Sequence, residues 1–161
     1  MALKVKLLLP LLLLVAAACG GEQDTGKAAQ APQPQPQASA PAMPRSSAPA
    51  DARLYFAELT DGAIVSNPIQ VVFGLDGMTV VPAGTDAPAS GHHHLIIDAP
   101  LPALDRPIPA DANHVHFGTG STSTTLELAA GEHTLQLLLG DHLHIPHEPP
   151  VVSEKIRITV E

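Results

Sequence analysis

From residue 53 to residue 161, apolar residues come in runs of four to eight closed by glycine, proline or aspartate, and no segment keeps a helical period for three turns. A chain written this way folds into short strands. The runs are 53–59, 69–75, 79–82, 92–98, 114–117, 122–128, 133–139 and 151–160. Reversals fit between them at Asp61-Gly62, Asp76-Gly77, Gly118-Thr119-Gly120 and Ala130-Gly131. The expectation is an all-β domain, an immunoglobulin-like β-sandwich of seven to eight short antiparallel strands; a small barrel or a cupin-like roll carries the same signature. Aromatic residues are only 2% of the chain (Tyr55, Phe56, Phe73 and Phe117, with no Trp), so leucine, isoleucine and valine must build the core. The same scarcity leaves few rings on which bases or sugars could stack. With 16 acidic against 8 basic residues and a formal charge of −8, no basic patch is available for a phosphate backbone, and nucleic acid is not an expected partner.

The first residues have the form of an export address. Lys4 and Lys6 precede the apolar run 7–15, which is too short to span a bilayer, and Ala16-Ala17-Ala18-Cys19 follows. The stretch Val15 to Gly20 looks like a bacterial lipobox, with residues 1–18 as a lipoprotein signal peptide and Cys19 as the lipidated residue. Cys19 is also the sole cysteine, as suits an exported chain in which a second thiol would invite wrong disulfides. Gly20 rather than aspartate follows it, which places the protein at the periplasmic face of the outer membrane if the host has one. Residues 19–51 are rich in Gln, Ala and Pro (Pro32, Pro34, Pro36, Pro41, Pro44 and Pro49), too polar to bury a core, and read as a disordered tether reaching up to about 100 Å. The folded domain is then 52–161, attached to the membrane through the lipid alone.

The functional signal is histidine. All nine lie between His92 and His147, and six form the pairs His92/His94, His114/His116 and His142/His144. Residues i and i+2 of a strand face the same side, so each pair can aim two imidazoles at one point. Three such segments brought together supply the three or four nitrogen ligands, at about 2 Å, that one transition-metal ion takes. The candidate ligands are His92, His94, His114, His116, His142, His144 and His147. Asp98, Asp111, Asp141 and Glu148 are near enough in sequence to orient ring N–H groups. His133 opens a strand with no i+2 partner and reads as a bystander; His93 points away from His92 and His94, to another face or to the core.

The domain has no cysteine, and Met78 is its lone methionine, which disfavours a soft Cu(I) site and leaves Cu(II) or Zn(II), with copper ahead by intrinsic affinity. The expected function is an envelope lipoprotein that buffers, senses or delivers such an ion. Two readings compete with it. One is a non-catalytic interaction or structural module whose histidines are hydrogen-bonded; the other is a metal-dependent enzyme, although no nucleophile elbow or zincin helix is present.

Three stretches carry a resemblance: Gly91-His-His-His-Leu-Ile-Ile-Asp98, Pro107 through His114-Val-His-Phe117-Gly118, and Leu135 through Gly140-Asp-His142-Leu-His-Ile-Pro-His147 with Pro149-Pro-Val-Val-Ser153. They resemble a bacterial exported family catalogued as domain of unknown function 4399, over about residues 91–160. The resemblance implies a small periplasmic or surface-anchored β-domain defined by its histidine motifs, here His92 to His94, His114, His116, His142, His144 and His147. No activity comes with it. Residues 59–74 also look like the opening of copper-resistance β-sandwich proteins, from which the chain departs in having no histidine between residues 19 and 91.

Overall fold

Alternation decides the first sheet. In Ile69-Gln-Val-Val-Phe73 the odd positions are buried and Gln70 is exposed, so one face of the strand turns inward and the other to water. In the computed structural model, which describes residues 43–161, this strand is the third of nine. They are β1 (Arg53–Phe56), β2 (Ala63–Val65), β3 (Ile69–Asp76), β4 (Thr79–Val80), β5 (Ser90–Ile97), β6 (His114–His116), β7 (Ser123–Leu126), β8 (Gly131–Gly140) and β9 (Ile156–Val160). There is no helix among the described residues. The segment expected to be a signal peptide, Cys19 and the expected tether up to residue 42 lie outside the described residues.

One sheet has the order β1-β3-β7; the other runs β2-β9-β8-β5-β4, with β6 also on β5. Strands β1, β3 and β7 facing a sheet centred on β5, β8 and β9 is the arrangement of an immunoglobulin-like sandwich. The core between the sheets is aliphatic: Leu54, Ile69, Val71, Phe73 and Leu126 meet Leu95, Ile97, Leu135, Leu137, Leu139, Ile156, Ile158 and Val160. All eight expected strands are present, and β2 is an addition. It is three residues long with Ile64 exposed, too short to leave a pattern.

Two pairings correct the expectation of purely antiparallel strands. β2 runs parallel to β9 and β4 runs parallel to β5. The chain changes sheets after β1, and the change is pinned where the Asp61 carboxylate accepts the Arg157 N–H (2.7 Å) and the Gly62 N–H donates to the Arg157 carbonyl (2.7 Å). A strand arriving on the far sheet in this way joins its edge in parallel.

The second sheet is covered on both sides. Every residue of β5 is buried, as are residues 135–140 of β8. On the face turned away from the sandwich core, Ile96 and Leu138 pack against Ile108, with Leu104 and Val152 beside them. On the same face of β5 stand His92 and His94.

Candidate metal centre

Strand β5 places its three consecutive histidines by alternation. His93 faces the sandwich core against Phe73, with ring centroids 5.1 Å apart, while His92 and His94 stand on the outer face. Those two lean together until their Nε2 atoms are 3.1 Å apart. The β5–β6 register sets His116 directly opposite His94 and His114 opposite Ile96. The loop 141–147 then brings in His144, whose backbone lies in the left-handed region at φ 65°.

Four imidazole rings thus cluster, and three of them bring their nitrogens together. Ring centroids are 5.0 Å apart for His92/His94, His92/His116 and His94/His116, 4.8 Å for His92/His144 and His116/His144, and 6.0 Å for His94/His144. Ring nitrogens of His92, His94 and His116 all lie within 4.8 Å of one another. A metal about 2.0 Å from four ring nitrogens in a tetrahedron sets those nitrogens about 3.3 Å apart and the centroids about 5.1 Å apart. A square arrangement requires four centroid separations of about 4.5 Å and two of about 6.3 Å. The observed centroids, five near 5 Å and one at 6.0 Å, lie nearer the tetrahedral set than the square one, while the nitrogens gathered within 4.8 Å of one another are those of His92, His94 and His116, without His144.

His92 and His94 form a floor that is 0% and 1% exposed, whereas His116 and His144 reach solvent. Burial holds His92 down to about pKa 4, helped by repulsion from His144 and His116 and opposed by Asp141. His94 goes to about 2, again mainly through burial and then through His92, His116 and His144. His116 is lowered by burial and by His144. The floor rings are therefore neutral at pH 7, the state in which imidazole binds metal. The Nδ1 atoms of His92 and His94 are buried without a hydrogen-bond partner among the described residues.

Asp141 shapes the loop that carries His144. Its Oδ1 accepts the N–H groups of Leu143 and Ile145, both at 2.9 Å, while the His144 N–H donates to the Asp141 carbonyl (2.9 Å) and the His144 carbonyl accepts from Ile108 (2.8 Å). Asp141 is 2% exposed. Its burial works to raise the carboxyl pKa, but hydrogen bonds from Ser46, Ile145 and Leu143 and the charge of His142 outweigh it, leaving the pKa below the usual carboxylate range.

The model of one protein family, described as Domain of unknown function (DUF4399), matches residues 71–161. The chain belongs to this family. The match starts earlier than the resemblance read from the histidine motifs and takes in β4 and most of β3. Neither a curated protein nor a solved structure matches the chain.

Within the DUF4399 domain the remaining histidines have other surroundings. His114 donates from Nδ1 to Asp111 (2.8 Å), and His142 lies 3.7 Å from Asp86. The buried His147 donates from Nε2 to the Ser90 carbonyl (3.0 Å). None of these three rings is stacked within the four-ring cluster, although all were candidate ligands on their motifs. His133 contacts Asp98 at 2.6 Å and the Ala129 carbonyl at 2.9 Å, and these bonds raise its pKa, Asp98 first. Of the four carboxylates proposed to orient imidazoles, Asp98 and Asp111 contact rings outside the cluster, Asp141 shapes the His144 loop, and Glu148 pairs with Arg45.

Two glycines, one read from the sequence as a turn residue and both standing in the histidine motifs, give the cluster its room. A Cβ at Gly118 would stand 2.5 Å from His116 Cε1 and 2.9 Å from its Nε2, and a Cβ at Gly140 would stand 3.0 Å from His94 Nε2. Gly118→Ala is therefore expected to push the His116 ring off the cluster. Its Zn(II) affinity, measured by competition with a chromophoric chelator, should fall about 10–100-fold, the range for lost support of a ligand. Because His116 reaches solvent, the Tm of the metal-free variant should change by only a few degrees.

Proposed function

We propose that this DUF4399 domain binds one divalent transition-metal ion per chain through His92, His94, His116 and His144, and that Zn(II) is its preferred ion. The observation that carries this is the gathering of ring nitrogens from His92, His94 and His116 within 4.8 Å of one another, with the His144 ring 4.8 Å from those of His92 and His116, where a turn of its side chain would complete a tetrahedron. Zn(II) accepts a closed tetrahedral site without penalty, whereas Cu(II) favours a tetragonal one. The sheet that fixes His92, His94 and His116 therefore works against the higher intrinsic affinity of Cu(II). The role that fits is buffering or delivery: with His144 turned onto the ion, four imidazoles would fill the coordination sphere and leave no open position for a substrate or an activated water, and the two solvent-side ligands give the ion a way in and out.

The proposal extends to placement in the cell. The order Lys4, Lys6, apolar run, Ala16-Ala17-Ala18-Cys19 supports an exported lipoprotein anchored through Cys19, at the periplasmic face of the outer membrane in a host that has one.

Elemental analysis after dialysis against weak chelator tests the metal reading. One Zn(II) per chain is expected, with a rise in Tm of several degrees over the EDTA-treated protein, since an ion held at about 100 times its Kd contributes about 2.7 kcal/mol. The His116→Ala/His144→Ala double variant should lose both. Metal content in the intact chain no higher than in that variant would defeat the reading and favour a module with structural histidines.

A further inference from the structure

The His144 loop is held down by residues that precede β1 and stand outside the matched family residues 71–161. Residues 45–48, which composition alone assigns to the tether, lie against it. The Ala48 N–H donates to the Glu148 carbonyl (3.0 Å) and the Glu148 N–H donates to the Ser46 carbonyl (2.9 Å), around a parallel bridge between Ser47 and Glu148. The Arg45 guanidinium, with its side chain 17% exposed, donates to the carbonyls of Pro146 (2.9 Å) and His147 and pairs with the Glu148 carboxylate. The Ser46 hydroxyl donates to Asp141 Oδ2 at 2.8 Å. That bond occupies the second oxygen of the carboxylate whose first oxygen shapes the 141–145 turn.

We propose that Arg45 and Ser46 are positioning residues for the metal centre: they lock Asp141 and residues 146–148 so that His144 is held over the three imidazoles carried by the sheet. This rests on the reading of the cluster as a metal site. His92, His94 and His116 need no such help, because the β5–β8 and β5–β6 ladders fix them. His144 alone of the four sits on a loop, and its left-handed backbone costs a non-glycine residue about 1–2 kcal/mol unless its surroundings enforce it. Without the Ser46 hydroxyl, an Asp141 oxygen in a 2%-exposed site loses its donor. The carboxylate is then free to turn away from the amides of Leu143 and Ile145, and the loop loses the shape that aims the ring.

The test uses the full chain, with Zn(II) and Co(II) as probes. Ser46→Ala and Arg45→Ala should each weaken Zn(II) binding about 10–100-fold. They should also lower the intense visible absorption of the tetrahedral Co(II) form, while Ser46→Thr, which keeps the hydroxyl, retains both properties. In a His144→Ala background, Ser46→Ala should have no further effect on affinity, since the residue it positions is gone. In the metal-free chain, amide exchange at Leu143 and Ile145 should accelerate in Ser46→Ala. An equal loss of affinity with and without His144 would mark general destabilisation and overturn the proposal, as would unchanged affinity in Ser46→Ala and Arg45→Ala when the wild-type chain binds Zn(II). A wild-type chain that takes up no Zn(II) would overturn the metal reading itself and the positioning role with it, a result distinct from either of those.

Discussion

His94→Leu is expected to do two unequal things: leave the Tm of the metal-free chain within a few degrees and lower its Zn(II) affinity by at least about a hundredfold, beyond the ~10–100-fold typical of a lost supporting contact. His94 is 1% exposed, its Nδ1 has no partner among the described residues, and its Nε2 meets only the Nε2 of His92. A buried polar group left without a partner costs about 1–3 kcal/mol, and leucine in its place would lie beside Ile108, which also borders the hydrogen side of Gly140. Removing the imidazole relieves that penalty at His94 but leaves the buried Nε2 of His92 without its partner, so the two effects offset to within about 1 kcal/mol, a few degrees in a domain of this size. A buried imidazole that the metal-free fold does not need and the metal does is there for binding. The paired measurement is a thermal melt with EDTA and a chelator competition with Zn(II). If His94→Leu instead destabilised the metal-free chain and left Zn(II) affinity unchanged, the histidine would be structural.

The metal-free domain is expected to unfold cooperatively as pH falls from about 5.5 to 4. Burial, the largest cause for each, takes His92 and His93 down to about pKa 4 and His94 to about 2, from an ordinary value of 6.5. Above pH 6.5 these rings are neutral in both folded and unfolded chains, and pH does not act through them. Below it the unfolded chain takes up three protons that the folded chain refuses. Stability then falls by about 1.4 kcal/mol per pH unit for each ring, about 4 kcal/mol per unit together. A domain with an ordinary stability of about 5–15 kcal/mol has little left by pH 4. His133 acts in the other sense: Asp98 raises its pKa, so its contribution is complete below 6.5 and is lost as pH rises through the raised value. It is one group against three. Bound metal should move the midpoint lower, because a coordinated ring cannot take a proton until the ion leaves. His93→Leu should flatten the transition by removing one proton from the count. Circular dichroism against pH, with EDTA and with Zn(II), reads all three results, and a metal-free midpoint below about pH 3 would show that these rings do not control acid stability.

Much of this was legible because strand patterns are local. The eight runs of alternating or continuous apolar residues each became a strand, since alternation with a period of two depends only on the pleat of that segment. The His92/His94 pair obeyed the same rule, and so did the inward turn of His93 onto Phe73. The rule failed informatively at the other two pairs. His114 and His116 share a face, but residues i and i+2 are about 6.6 Å apart along a strand, so only the one registered opposite His94 meets the cluster. His142 and His144 are not on a strand at all. Asp141 folds that segment into a turn that sends His144 inward and leaves His142 near Asp86.

The sequence by itself determined the all-β class, the aliphatic core and the presence of imidazoles enough for a metal, because composition and short-range periodicity carry those facts. Which four rings converge was decided only in the tertiary structure. That choice depends on the register between β5 and β6, on the room left at Gly118 and Gly140, and on hydrogen bonds from Arg45 and Ser46 to a loop about a hundred residues away. These contacts join residues distant along the chain, and nothing in the neighbourhood of any one of them in the sequence announces its partner.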